Sequence, residues 1–306
     1  MTQIDIRFES RYGKDNRRPR WVDRFRSLSG VLFILSLVAI LISCNPRNGA
    51  NQNGILTYTP TPSFTPELSA TPASNTPACF QQPGQIVEEL LSSQLIPREL
   101  QVSIYLPPCY DEERAQAYPV LYLFHGLGDS DEQWLRLGLI ELADERLMKR
   151  LSDPFLIVMP WERSGQEMET AVLEVLIPFI ETTYHVRTDR EGRALGGISR
   201  GGGWALAIAA QAPQEFGAIG LHSTGILNSI AYLQLKLLEP WSSNQPRIWI
   251  DVGERDTLAP RAQELLDLFD RLELEYTWHL YPGGHSDSYW ASHLDEYLDW
   301  YVQGWD

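Results

Sequence analysis

Leu195-Gly196-Gly197-Ile198-Ser199-Arg200-Gly201-Gly202-Gly203-Trp204 decides how the rest of the chain is read. It lies between an apolar run at 193–197 and a helical pattern at 200–211, so it reads as a sharp strand-to-helix turn. Within it Gly197, Ser199 and Gly201 form the pattern G-x-S-x-G. A serine at such a turn is held in a strained backbone conformation, and small residues two before and two after are needed because neighbouring backbone passes too close for a Cβ. The turn exposes the Ser199 hydroxyl at a helix N-terminus, whose positive end favours a developing anion. The pentapeptide alone reads equally well as a Gly-rich turn with Ser199 capping the helix. The surroundings must decide.

Working outward, apolar or alternating runs at 100–106, 119–124, 155–159, 193–197, 218–222, 247–252 and 276–281 read as strands. Helical patterns at about 132–150, 169–184, 200–211, 228–238, 260–272 and 290–302 fall between or after them. Strands alternating with helices predict an α/β domain over residues 79–306, with a mostly parallel sheet covered by helices on both faces. The length leaves no room for a large separate cap domain. In such a sheet ligands gather at the carboxyl ends of the strands.

A serine hydroxyl is a weak nucleophile unless a base takes its proton, and the base needs an acid to fix its tautomer. Ile248 to Asp256 is a strand running into an acidic loop, and Tyr281-Pro282-Gly283-Gly284-His285 is a strand ending in a Gly-rich loop that carries a histidine. Serine, acid and histidine then follow in the chain order known for strand-to-helix nucleophile turns. His285 is the candidate base, because His185, His222, His279 and His293 occupy strands, helices or their ends. Asp256 is preferred as the acid over Glu254, which reads as easily as solvated, and over Asp251, which precedes the turn of the loop. Leu123 to Asp129 follows a central strand and supplies a candidate oxyanion hole, with the backbone N–H groups of Leu127 and Arg200 as donors. His125 reads as a residue that shapes this loop.

The remainder of the chain bears on location. Residues 1–44 carry eight basic and four acidic side chains, whereas the rest carries 17 basic and 36 acidic ones. Val31 to Ile42 is an apolar run interrupted only by Ser36, shorter than the roughly 20 residues that span a bilayer. It reads as the core of a signal peptide over residues 1–43. Leu41-Ile42-Ser43-Cys44 resembles a bacterial lipobox, which makes Cys44 a candidate lipidation site and the membrane a partner through that anchor; an uncleaved signal anchor is the alternative. Residues 44–78 are rich in Pro and Thr and read as a disordered tether. An extracytoplasmic domain stands where disulfides persist, so Cys79 and Cys109 are predicted to pair, two separate buried thiols being the alternative. A formal charge of -15 argues against nucleic acid as a partner. No ligand pattern for a metal and no phosphate-binding glycine pattern is apparent, so no cofactor is expected.

Several motifs in order carry a resemblance over nearly all of residues 80–306. They are Val102-Ser103-Ile104-Tyr105-Leu106-Pro107-Pro108 leading to Tyr110, Tyr118 to Gly126 with Trp134 following, the Ser199 turn, Asp251 to Asp256, and Gly284-His285 with Trp290. The domain resembles the esterase family that includes esterase D, enterochelin, feruloyl and acetyl-xylan esterases and the mycolyltransferases. The resemblance implies an α/β-hydrolase fold, with Ser199 as nucleophile, Asp256 as acid, His285 as base, and Leu127 and Arg200 as oxyanion donors. It implies a serine hydrolase acting on small-molecule, carbohydrate-linked or siderophore-linked carboxylic esters, which the reading of residues 1–44 places outside the cytoplasm. Acyl transfer by the same machinery, or binding on an inactive scaffold, are the alternatives. Many relatives have an apolar residue after the serine, whereas this chain has Arg200, which is suited to an anionic group or to pairing with an acid. Trp161, Trp204, Tyr289 and Trp290 are candidates for an aromatic pocket rim, with core packing as the plainer reading of each.

Overall fold

The computed structural model describes residues 79, 82–237 and 240–305. The predicted signal peptide over residues 1–43, Cys44 and the predicted tether over residues 44–78 lie outside the described residues. The strands are β1 (Gln85–Leu91), β2 (Leu100–Leu106), β3 (Val120–Phe124), β4 (Leu156–Pro160), β5 (Arg193–Ile198), β6 (Ala218–His222), β7 (Arg247–Gly253) and β8 (Thr277–Tyr281), and from β3 onward successive strands are joined by helices. They form one sheet in the order β1-β2-β4-β3-β5-β6-β7-β8. From β4 to β8 every neighbouring pair is parallel, while β2 runs antiparallel to β4 and to β1. This mostly parallel sheet with helices on both faces is an α/β-hydrolase fold.

The central strands are near-continuous apolar runs because both their faces are covered. Val120, Tyr122, Phe124, Leu195, Ile219 and Ile250 point to one side, into a core shared with the Arg200–Gln211 and Ala259–Arg271 helices. Leu121, Leu123, Ala194, Ala218 and Trp249 point to the other, against the Leu139–Met148 and Asp287–Val302 helices. On that second side Gly196 of β5 and Gly220 of β6 are register partners, and a Cβ on either would overlap the Tyr301 hydroxyl. The two glycines thus form a slot through which a buried phenol reaches the sheet.

Some elements depart from the sequence reading. β1 was not marked by an alternating run, since Glu88 and Glu89 interrupt its apolar residues and it lies largely exposed at the sheet edge. The predicted helix at 132–150 is two helices, Gln133–Arg136 and Leu139–Met148, separated at Gly138 with φ 91°. The helix at 169–184 contains a π-helical turn, Ala171–Leu176, just before Pro178. Pro178 has no N–H to offer the preceding turn, and a wider turn is a local way to accommodate it. Pro240–Asn244 is a short helix that the pattern did not announce. The last helix begins at Asp287, three residues early, because Ser286 caps it by accepting the Tyr289 N–H.

Cys79 and Cys109 are disulfide-bonded with their Cα atoms 5.2 Å apart, inside the range such a bridge requires. Among the described residues no helix is long and apolar enough to cross a membrane.

Candidate active site

Ser199 joins β5 to the Arg200–Gln211 helix with φ 56° and ψ -117°, a strained backbone for a residue with a side chain. The surrounding chain over-determines that conformation. The Ser199 N–H donates to the His222 carbonyl and its own carbonyl accepts the Gly225 N–H, both at 2.8 Å. A Cβ at Gly197 would overlap the Gly201 backbone, and one at Gly201 would overlap the carbonyls of Phe124 and His125. The glycines flanking the serine are therefore required by close approach of backbone, as the motif implies.

The loops after β7 and β8 bring two more groups to this turn. His285 Nε2 lies 2.8 Å from Ser199 Oγ, and His285 Nδ1 lies 2.9 Å from Asp256 Oδ2. The other Asp256 oxygen accepts the Leu258 N–H at 2.7 Å. Burial alone would raise the Asp256 pKa, but the hydrogen bonds from His285 and Leu258 outweigh it and hold the carboxyl below its ordinary value. An ionised Asp256 accepts only, so Nδ1 carries the proton and Nε2 offers its lone pair to the serine hydroxyl. Of the three acids weighed from sequence, only Asp256 reaches His285. Glu254 is exposed, and Asp251 is wholly buried in a separate network.

The loop after β3 passes beside the serine, a Cβ placed on Gly126 standing 3.6 Å from Ser199 Cβ. Among the described residues the N–H groups of Leu127 and Arg200 make no hydrogen bond, so both are available as donors. His125 braces the loop as expected: its Nδ1–H donates to the Gly126 carbonyl at 2.7 Å, and its Nε2 accepts the Glu162 N–H at 2.8 Å. These two partners admit one neutral tautomer, and burial keeps the His125 pKa below its ordinary value.

Glu162 was not singled out from sequence, yet it takes up the unusual arginine. Its buried carboxylate pairs with the Arg200 guanidinium at 2.8 Å, and that guanidinium lies 5.9 Å from the Trp204 ring. Arg200 thus pairs with an acid of the protein itself. Trp161 and Trp204 are half-buried, Trp161 with the Arg163 guanidinium 4.6 Å from its ring and Trp204 packed in part against the core. Tyr289 and Trp290 do not form a rim. Tyr289 is buried with its hydroxyl donating to Asp251 at 2.8 Å, and the cost of leaving a buried phenol unpaired explains that placement. Trp290 is buried edge-on to the candidate base, with ring centroids 5.0 Å apart, and packs against His285 from within the core.

Fold and site together define an α/β hydrolase. The chain belongs to the family described as "Putative esterase", whose model matches residues 93–301. It is 28% identical over 158 residues to an endo-1,4-beta-xylanase/feruloyl esterase of Xylanibacter ruminicola, a match covering 46% of this chain and 22% of that protein. It is 32% identical over 135 residues to an esterase of Mycobacterium tuberculosis, covering 40% of this chain and 28% of the other. The matched stretches thus span about a quarter of the length of these curated relatives. Among solved structures, a ferulic acid esterase superposes with a TM-score of 0.65 at 22% identity, covering 73% of this chain and 99% of that one. The feruloyl esterase module of Clostridium thermocellum, solved with sinapinate, gives 0.63 at 17% identity over 75% of this chain and 93% of its own.

Proposed function

We propose that the protein hydrolyses carboxylic esters through an acyl-enzyme on Ser199. The observation that carries this reading is the continuous chain from Asp256 through His285 to Ser199 Oγ, at 2.9 and 2.8 Å, ending at a strained turn beside two free N–H groups. Ser199 Oγ attacks the ester carbonyl carbon as His285 Nε2 takes its proton. The carbonyl oxygen gains the negative charge and is met by the N–H groups of Leu127 and Arg200. Collapse expels the alcohol, which leaves with the proton from His285, and water then repeats both steps to release the acid and restore Ser199. Each oxyanion donor of this kind contributes about 2.7–4 kcal/mol to the transition state.

Membership of an esterase family supports the reaction class. The names of the relatives, a xylanase joined to a feruloyl esterase among them, support an aromatic acyl group on a carbohydrate alcohol. Half-buried Trp204, whose ring lies 5.9 Å from the Arg200 guanidinium, and Trp161, which precedes the Arg200 partner Glu162, are consistent with a planar ring. An extracytoplasmic, lipid-anchored location is supported by the apolar run at 31–42, Cys44, the Pro/Thr-rich tether and the Cys79–Cys109 bridge.

The test is turnover of p-nitrophenyl acetate and butyrate and of methyl ferulate by the full chain, beside Ser199→Ala and His285→Ala. Both variants are expected to lose about 10⁴-fold or more in kcat. Turnover undiminished by Ser199→Ala would overturn the reading.

A further inference from the structure

Gln133 is only 3% exposed, and an amide so buried is costly unless its donor and acceptor are both bonded. Its two ends reach different parts of the site. Oε1 accepts the Gly126 N–H at 2.8 Å, and Nε2 donates to Asp287 Oδ1 at 3.2 Å. The orientation of the amide is dictated by its partners, since a backbone N–H only donates and a carboxylate only accepts. Gly126 directly precedes Leu127, and a Cβ placed on it would stand 3.6 Å from Ser199 Cβ. Asp287 is two residues after His285 and opens the Asp287–Val302 helix. The next side chain, Trp134, is wholly buried and donates from Nε1 to the Phe124 carbonyl at 3.2 Å, which anchors Gln133 to the end of β3.

We infer that Gln133 is a positioning residue that sets the spacing between the oxyanion loop and the base loop. The inference rests on the hydrolase reading above. By occupying the Gly126 N–H, Gln133 also leaves the Leu127 N–H as the donor that this loop presents. Proton removal at Oγ and charge uptake at the carbonyl oxygen happen in one transition state, so the donor and the imidazole must be correctly placed together. A displacement of about 1 Å between catalytic groups can cost on the order of 10²-fold in rate. Ground-state binding makes no such demand, so loosening the link should lower kcat and leave KM nearly unchanged.

The experiment uses substitutions that preserve shape. Gln133→Glu keeps an acceptor for the Gly126 N–H but sets a carboxylate against Asp287, and is expected to lower kcat about tenfold at constant KM. Combining Gln133→Glu with Asp287→Asn reverses donor and acceptor, restores the bond and leaves the net charge of the pair as in the parent. This double variant is expected to recover most of the lost kcat. Asp287→Ala, at an exposed residue, frees the amide without disturbing the core and is expected to cost severalfold in kcat if Gln133→Glu fails to fold. The parent and Ser199→Ala are measured alongside. A Ser199-dependent parent whose kcat survives Gln133→Glu or Asp287→Ala, or a double variant that recovers nothing, overturns the positioning role alone. A parent whose turnover ignores Ser199 overturns the hydrolase reading and this inference with it.

Discussion

Among the described residues two Asp–His pairs are built from the same chemistry and put to different uses. Asp256 and His285 meet at 2.9 Å on two loops, with the histidine side chain 29% exposed and its Nε2 on the Ser199 hydroxyl. Asp251 and His222 meet at 2.7 Å, as register partners on adjacent strands, and neither is exposed at all. Around the second pair every polar valence is taken. Asp251 accepts from His222 Nδ1, Trp249 Nε1, Tyr289 and Tyr297, while His222 Nε2 meets the Tyr301 hydroxyl at 3.0 Å. Burial, reinforced by Asp251, raises the Tyr297 and Tyr301 pKa values well above the ordinary range, so neither phenol gives up its proton. An Asp–His pair becomes a proton relay only where Nε2 faces a mobile proton and a substrate can enter. Locked among phenols, the same pair acts as a staple between β6, β7 and the last helix.

Substituting the two carboxylates should therefore have opposite consequences. Asp256→Asn is expected to lower kcat about 10⁴-fold, because the asparagine amide favours the wrong imidazole tautomer, and to cost only the small stability that the lowered Asp256 pKa implies. Asp251→Asn is expected to destabilise the fold by about 3–5 kcal/mol, since removing one partner strands the others in the core. Its folded fraction should keep near-parental kcat, which separates the two pairs by denaturant unfolding and steady-state kinetics. Tyr297→Phe sharpens the point at smaller scale, costing about 1–3 kcal/mol of stability without loss of kcat.

The pH dependence of stability offers a gentler comparison. The Asp256 pKa in the folded protein lies below its ordinary value of 3.8, so this group contributes stability that is complete above that value. The contribution fades as pH falls through the folded pKa. Unfolding free energies of the parent and of Asp256→Asn should differ by a constant amount above about pH 5 and converge in more acid solution. A gap that persists undiminished at the acid end would contradict the charged Asp256 on which the relay depends.

What the sequence reveals of this arrangement follows from how local each requirement is. The Ser199 turn was legible because close backbone approach demands glycine at Gly197 and Gly201, within five residues. The parallel strands were legible because burial on both faces leaves continuous apolar runs. Asp251 and Asp256 are alike in type and differ only in which side of the β7 terminus they occupy, so residue order alone could favour one but not exclude the other. Tyr289 and Trp290 follow one another at the start of a helix, and nothing in their spacing tells a rim from a core. Gln133 and Glu162 escaped notice because their partners are remote in the chain: Asp287 lies 154 residues from Gln133, and Arg200 lies 38 from Glu162. β1 escaped because an exposed edge strand has no need of an apolar pattern.

Labelling with a serine-directed fluorophosphonate, read by peptide mass spectrometry, tests the relay most directly. The parent should carry a single adduct on Ser199, Ser199→Ala should carry none, and His285→Ala should label at least about 10³-fold more slowly while remaining folded. His222→Gln, if folded, should label at close to the parental rate. An adduct on another residue, or labelling of Ser199 that is indifferent to His285, would contradict the account.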